Sequence, residues 1–263
     1  MSKYNWNPEE YHISSSEQFK WAKELIAKLS IKGNEKILDV GCGDGKVTAE
    51  ISKLLPEGFI VGVDNSLSMI KFAKENFPEE KFPNLIFICA DARNLSFEYE
   101  FDIIFSNATL HWIKDHLPVL QGFKNILKNS GRILLQMGGK GNAQDLINVL
   151  DEIIKEEKWK SYFENFTFPY GFFDINDYEK FLNKAGLLPK RIELLPKDMI
   201  HKGEEKFKLW IKTTWLPYTQ QIPESKREMF IDEVVKSYIK KFPIDNNGLI
   251  HLKMMRLEVE AIK

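Results

Sequence analysis

At 263 residues, 43% of them hydrophobic and 29% charged, the chain has ordinary globular composition and enough length for one large α/β domain with an insertion. Its 37 basic and 38 acidic residues balance to a net charge of −1, which gives no global attraction to nucleic acid or an anionic membrane. No apolar run reaches the ~18 residues of a transmembrane helix, and the opening Met1-Ser2-Lys3-Tyr4-Asn5-Trp6 holds no signal-peptide core. The expectation is a cytoplasmic protein acting on a small molecule, without nucleic-acid or membrane partners, as a monomer or homodimer.

The first predicted strand, Ile37-Leu38-Asp39-Val40, breaks into Gly41-Cys42-Gly43-Asp44-Gly45, and a helix is expected to begin near Lys46. A buried strand, a glycine turn that lets backbone approach a ligand, and a helix together form the nucleotide-binding corner of an α/β sheet. The dinucleotide fingerprint G-x-G-x-x-G needs a glycine where Lys46 stands, which argues against a nicotinamide cofactor. Taken alone, the motif also reads as a tight turn with no ligand. A second apolar run, Phe59-Ile60-Val61-Gly62-Val63-Asp64, ends in an acid at roughly the 20-residue offset of a ribose-binding carboxylate. A third, Leu85-Ile86-Phe87-Ile88-Cys89-Ala90, ends in Asp91. Each acid by itself fits a helix cap or turn former. Their shared place at successive strand ends is what a ligand site in an open α/β sheet requires.

A fourth run, Phe101-Asp102-Ile103-Ile104-Phe105, leads into Ser106-Asn107-Ala108-Thr109-Leu110-His111-Trp112. An amphipathic helix follows, with Leu117, Leu120, Phe123 and Leu127 on one face, and Asn129-Ser130-Gly131 is expected to end it. The fifth strand is read over 132–137, with a glycine-rich loop after it. Strands alternating with helices imply βαβ units and a parallel sheet covered on both faces.

Beyond Asn142 the pattern changes. Leu146, Val149, Leu150, Ile153 and Ile154 fall at helical spacing, and an aromatic link runs from Trp159 to Phe173. A helix over 176–185 stops at Gly186, suited to a left-handed cap. The sixth strand is read over 190–195. Two helical stretches over 204–215 and 224–241 are separated by Pro217 and Pro223. The segment 255–261 alternates as a half-exposed strand that completes the sheet. The expected division is 1–30, a cover segment and first helix; 31–141, the cofactor-binding core; 142–200, a helical link and sixth strand; 201–250, a helical lid; and 251–263, the final strand. The lid stretch reads equally as a dimerisation surface or extra core. The two cysteines, Cys42 and Cys89, and the five dispersed histidines make no metal-ligand spacing.

With its last glycine one residue early and an Asp in the strand, the first motif resembles motif I of class I S-adenosylmethionine (SAM)-dependent methyltransferases. Trp6-Asn7-Pro8 with Tyr11, Gly62-Val63-Asp64-Asn65-Ser66 with Met69, Ala90-Asp91-Ala92-Arg93-Asn94, and Asn107-Ala108-Thr109-Leu110-His111-Trp112 occur in order with it. Over nearly the whole chain this looks like the trans-aconitate methyltransferase group. The resemblance implies a Rossmann-like, seven-stranded, mostly parallel sheet with the last strand antiparallel, helices on both faces and a helical lid. It implies SAM as cofactor, with Asp39 and the backbone of Gly41, Cys42, Gly43 and Gly45 at the methionine moiety and Asp64 at the ribose. Asn65 and Met69 would flank the adenine, Asp91 and Ala92 would read its edge, Asn107 would lie near the methionine end, and Trp6 with Tyr11 would cover it. Two positions depart from the group: Leu216 stands where it has an arginine before the lid proline, and Gly138 where it has a proline. Loss of a fixed guanidinium removes a bidentate carboxylate partner and weakens the case for a tricarboxylate substrate.

The expected reaction is methyl transfer to a small acid's carboxylate oxygen, which is ionised at neutral pH and needs no base. A hydroxyl, amine or carbon acceptor would need one, and His111, beside Trp112 on the loop after strand four, is the candidate. A SAM-binding or protein-interaction scaffold without turnover is the reading from another class; its mark would be a damaged motif I or missing strand-end acids.

Overall fold

The computed structural model describes residues 4–263. Helices α1 (Pro8–Ser14) and α2 (Ser16–Ala27) precede strand β1 (Lys36–Val40), followed by α3 (Lys46–Ser52), β2 (Phe59–Asp64), α4 (Leu67–Asn76), β3 (Leu85–Cys89) and β4 (Phe101–Asn107). Next come α5 (Leu117–Ile126), β5 (Leu127–Gly138), α6 (Gln144–Ile153), α7 (Ile175–Ala185) and β6 (Leu188–Lys202). The chain finishes with α8 (Gly203–Thr214), α9 (Leu216–Thr219), α10 (Glu224–Lys241) and β7 (Leu249–Ile262).

All seven strands form one sheet in the order β3-β2-β1-β4-β5-β7-β6. β1 to β5 pair in parallel, and β7 runs antiparallel to both β5 and β6. Chain order reverses at β1, whose neighbours β2 and β4 leave from opposite sides; the crevice beyond its carboxyl end is where such sheets hold ligands. Alternate residues of β1 enter different cores. Ile37 packs with α2, α3 and α4 residues such as Leu25, Ile51 and Ile70, while Leu38 and Val40 pack with α5 and α7 residues such as Phe123 and Leu182. Both faces are thereby covered, as a parallel sheet requires.

Local signals set the helix ends. Ser66 caps α4 by accepting from the Met69 N–H, and Asp174 and Asp177 form a reciprocal capping box at α7. Gly186 closes α7 in the left-handed conformation, φ 74°, as its sequence context predicts.

Several boundaries differ from expectation. Asn129-Ser130-Gly131 does not end α5, which stops at Ile126; it lies inside β5, at an irregularity where the register to β4 jumps from Phe101↔Leu127 to Ile103↔Arg132. β6 and β7 each extend into the predicted lid range as a long ribbon, pairing from Leu188↔Ile262 to Lys202↔Leu249. Pro189 and Pro196 obscured β6 in the sequence; it tolerates them because it is the sheet edge, where ladder donors are dispensable. β7 is not half-exposed in its second half. Arg256 and Glu258, which the alternation places outward, are 4% and 1% exposed because α2 covers that face. Glu258 is matched there by Lys28, Arg191 and Gln136.

Between β6 and β7, α8 and α10 build a third core against α6, rich in aromatic rings including Trp159, Phe207, Trp210, Phe230 and Tyr238. This layer meets the N-terminal segment through Lys212 to Glu10 at 2.7 Å and through Gln220, whose amide bonds the Asn5 backbone.

Candidate active site

Beyond the carboxyl ends of β1, β2 and β4 lies a cavity of about 1120 Å³. Its floor is the glycine turn. The Gly41 and Cys42 N–H groups donate to the Val63 carbonyl at 2.7 and 3.0 Å, which hangs the turn from β2. Gly41, φ 78°, has no room for a side chain, since a Cβ would lie 2.2 Å from Thr109, whose hydroxyl donates to the Gly41 carbonyl.

The acids are held differently. Asp39 is buried at the end of β1 and accepts from the Thr48 hydroxyl at 2.7 Å; burial, with nearby Asp64 adding to it, pushes its pKa up to about 7. Asp64 accepts from the Gly43 N–H at 3.0 Å and the Ser66 N–H at 2.8 Å, which fixes both oxygens while leaving each a further lone pair. Burial raises its pKa despite those donors. Asp91 lies two residues beyond β3 rather than at its last position, and Arg93 clamps it through Nε at 2.9 Å and Nη2 at 2.5 Å. That pairing holds the Asp91 carboxyl below its ordinary range.

Of the residues expected to hold the cofactor, Trp6, Tyr11, Asp39, Gly41, Cys42 and Gly43 line this cavity, as do Asp64, Asn65, Met69, Asp91, Ala92 and Asn107. Gly45 does not. At φ 80° it begins α3, and a Cβ there would sit 2.6 Å from the Phe87 ring and 2.9 Å from Ala73, so it lets α3 close onto β3 and α4. Gly45→Ala is expected to cost about 3 kcal/mol or more, through backbone strain and overlap together. Urea unfolding reads this as a lowered midpoint at unchanged slope.

The N-terminal segment closes one side. Trp6 packs edge-on against Tyr11 at 5.6 Å and Trp112 at 5.3 Å, and Tyr4 adds a contact to Trp112 at 5.6 Å. His12 Nδ1 bonds Asp44 at 2.8 Å, while Lys46 Nζ donates to the His12 carbonyl, tying α1 to the glycine turn. The stretch from Ser161 to Pro169, read in the sequence only as an aromatic link, forms part of the opposite wall. Trp112 reaches the large cavity, but His111 faces a smaller one behind it. Packed against Trp112, Tyr170 and Phe172, the His111 ring accepts at Nδ1 from the Gly138 N–H at 3.4 Å, and burial lowers its pKa to about 3. Sequence reasoning also missed Arg256, which lines the smaller cavity. Its own strand carries no signal of this, because the alternation places Arg256 on the outward face.

The site suits a nucleoside cofactor that carries a cationic end. Three carboxylates, Asp39, Asp64 and Asp91, face one cavity and offer acceptors to a ligand's donors, and a ligand cavity of ~300–1,000 Å³ is typical of such sites. Among the described residues no His, Cys, Asp and Glu cluster fit for a metal is present, and both cysteines are free. No helix of the described residues is long and apolar enough to cross a membrane. The sheet order and the acid-lined crevice define an α/β enzyme of the nucleotide-cofactor type.

Comparison with known proteins specifies the class. The methyltransferase-domain family matches residues 31–186, and the chain belongs to that family. It is 29% identical to the trans-aconitate 2-methyltransferase of Enterobacter sp. strain 638 over 96% of each chain. It is 30% identical to protein 235L of Invertebrate iridescent virus 6, over 89% of this chain and 85% of that one. Among solved structures, the YcgJ protein of Bacillus subtilis superposes with a TM-score of 0.65 at 18% identity, covering 93% of this chain and 98% of its own. The protein is a class I SAM-dependent methyltransferase, and its cofactor is S-adenosylmethionine.

Proposed function

We propose that this enzyme methylates a carboxylate oxygen of a small acid. The observation that supports the reading is the state of His111, packed among aromatic rings with its Nδ1 already engaged. His111, the candidate from sequence, has its Nδ1 lone pair turned to the Gly138 N–H and a pKa near 3, so it is a weak base at neutral pH. With Nδ1 accepting, the neutral ring carries its proton on Nε2 and is a hydrogen-bond donor. An acceptor that must lose a proton gains little from such a group, whereas a carboxylate is already ionised. The trans-aconitate 2-methyltransferases among its relatives support the same chemistry.

When bound, SAM supplies an activated methyl group. The protein's part is to hold and shield. Asp39 and the Gly41-to-Gly43 backbone would hold the methionine moiety, Asp64 would accept from the ribose hydroxyls, and Asp91 with the Ala92 N–H would meet the adenine edge between Asn65 and Met69. Asn107 would lie at the methionine end, and Trp6, Tyr11 and Trp112, which pack on one another beside the cavity, would form a hydrophobic cover that keeps water out.

The dependence of kcat on pH tests the acceptor. At saturating SAM, a carboxylate acceptor predicts a kcat flat from pH 6 to 9 within about twofold. A limb rising about tenfold per unit in that window would assign a hydroxyl or amine that needs deprotonation.

A further inference from the structure

Behind Ala108 and Trp112 the smaller cavity, about 60 Å³, abuts the large one, sharing Trp6, Tyr11, Ala108 and Trp112 with it. Its polar lining is one-sided. No Asp or Glu is among the described residues that line it, while four buried groups there have no hydrogen-bond partner: Arg256 Nε, Trp210 Nε1, Trp215 Nε1 and Thr214 Oγ1. Three of these are N–H groups that only donate, and the fourth can. A buried donor left unmade costs ~1–3 kcal/mol, so four around one small space mark a place built for an acceptor.

Arg256 is the centre of this asymmetry. It sits on β7 opposite Gly138 of β5 and Leu195 of β6, 4% exposed, with its guanidinium 4.9 Å from the Trp21 ring centroid. No carboxylate pairs with it among the described residues, although Glu258, two positions along the same face, is fully matched. Burial brings its pKa down only to about 10, so it remains a cation at neutral pH. A buried cation without a counterion is unfavourable in a fold that needs it only for packing.

We infer that this cavity receives a carboxylate of the methyl acceptor, with Arg256 as its charged anchor and Trp210, Trp215 and Thr214 as further donors, so that the acceptor is a small acid carrying at least two carboxylates. The inference rests on the reading of the enzyme as a carboxylate methyltransferase and adds where the non-reacting carboxylate is held. Size agrees. One water needs ~10–15 Å³ of cavity, so about 60 Å³ takes a carboxylate and its carbon, with the rest of the acid lying toward the large cavity. Three of the donors, Trp210, Thr214 and Trp215, come from α8 and its C-cap, so the helical insertion packed over this point supplies most of the set.

The test is calorimetric titration of the S-adenosylhomocysteine-saturated protein with trans-aconitate, tricarballylate and succinate, and with succinamide as the uncharged control. Binding of at least one acid, absent for succinamide, is expected. Arg256→Gln should weaken it about 30-fold or more, with Arg256→Lys recovering part of the loss and S-adenosylhomocysteine affinity changing less than about twofold. Arg256→Met, free of acid, should melt at or above the wild-type temperature, because an unpaired buried charge has been removed. The inference is overturned if no acid binds, if Arg256→Gln leaves acid binding unchanged, if it weakens S-adenosylhomocysteine instead, or if Arg256→Met melts several degrees lower. The two readings separate in methyl transfer. Arg256-dependent acid binding without a methyl ester product removes carboxylate methylation and leaves the anchor; ester formation at an unchanged KM in Arg256→Gln removes the anchor and leaves the reaction.

Discussion

Asp64→Ala is expected to weaken S-adenosylhomocysteine binding about 100-fold, the effect of removing two hydrogen bonds to a charged acceptor. The carboxylate has two tasks at once. It accepts from the Gly43 and Ser66 N–H groups, which pins the glycine turn to the end of β2, and it offers its remaining lone pairs to the cavity. The fold itself should lose little. Burial already raises the Asp64 pKa, and Asp64 in turn adds to the upward shift of Asp39, so deleting it relieves a costly charge while it orphans two donors. A melting temperature within about 3 °C of wild type is expected alongside the lost affinity. Affinity within threefold of wild type would remove Asp64 from the cofactor site.

The second large effect is in pH. Asp39, with a pKa near 7 in the free protein, is mostly protonated below neutrality. A cofactor ammonium favours the ionised form, so binding at pH 6 must expel a proton, and affinity should fall about tenfold per unit below pH 7. From pH 8 down to pH 5.5 that is about 30-fold, and Asp39→Asn should abolish the midpoint near 7 while lowering the plateau. Proton release on binding, read from calorimetry in buffers of different ionisation enthalpy, checks the same point. The stability of the free protein carries the opposite sign. A carboxyl whose folded pKa is raised above its unfolded value of 3.8 costs stability as pH rises from about 4 to 7, so Asp39→Asn should remove a loss that wild type suffers between those values. An affinity independent of pH in wild type would show that Asp39 does not meet the cation.

The parallel half of the fold was legible because its signals are local. Each strand from β1 to β4 is a short apolar run bounded by a turn, and β2 spans the predicted residues without change. Asp39 and Asp64 could be placed for the same reason: strand ends in an open sheet converge on one crevice. The antiparallel half was less legible. β6 contains two prolines, tolerable only because the strand lies at the edge, and edge position is a property of the whole sheet. Arg256 and Glu258 looked outward by alternation, and nothing in β7 announces that α2, more than 220 residues earlier, covers them. His111 was placed on the correct loop, but whether its ring nitrogen faces a substrate or the Gly138 N–H depends on a contact with β5 that spacing does not encode. Gly45, expected at the ligand, does not line the cavity; the space beside it is filled by Phe87 from β3, a contact that spacing does not encode.

Methyl transfer itself decides the central claim. The protein should be incubated with SAM labelled in the methyl group and with trans-aconitate, tricarballylate or succinate, and the product treated with alkali. A methyl ester releases its label as volatile methanol, and this account predicts such release for at least one of the acids, absent in Asp64→Ala. Label that enters an acceptor and resists alkali would place the methyl group on nitrogen, carbon or an ether oxygen and contradict carboxylate methylation.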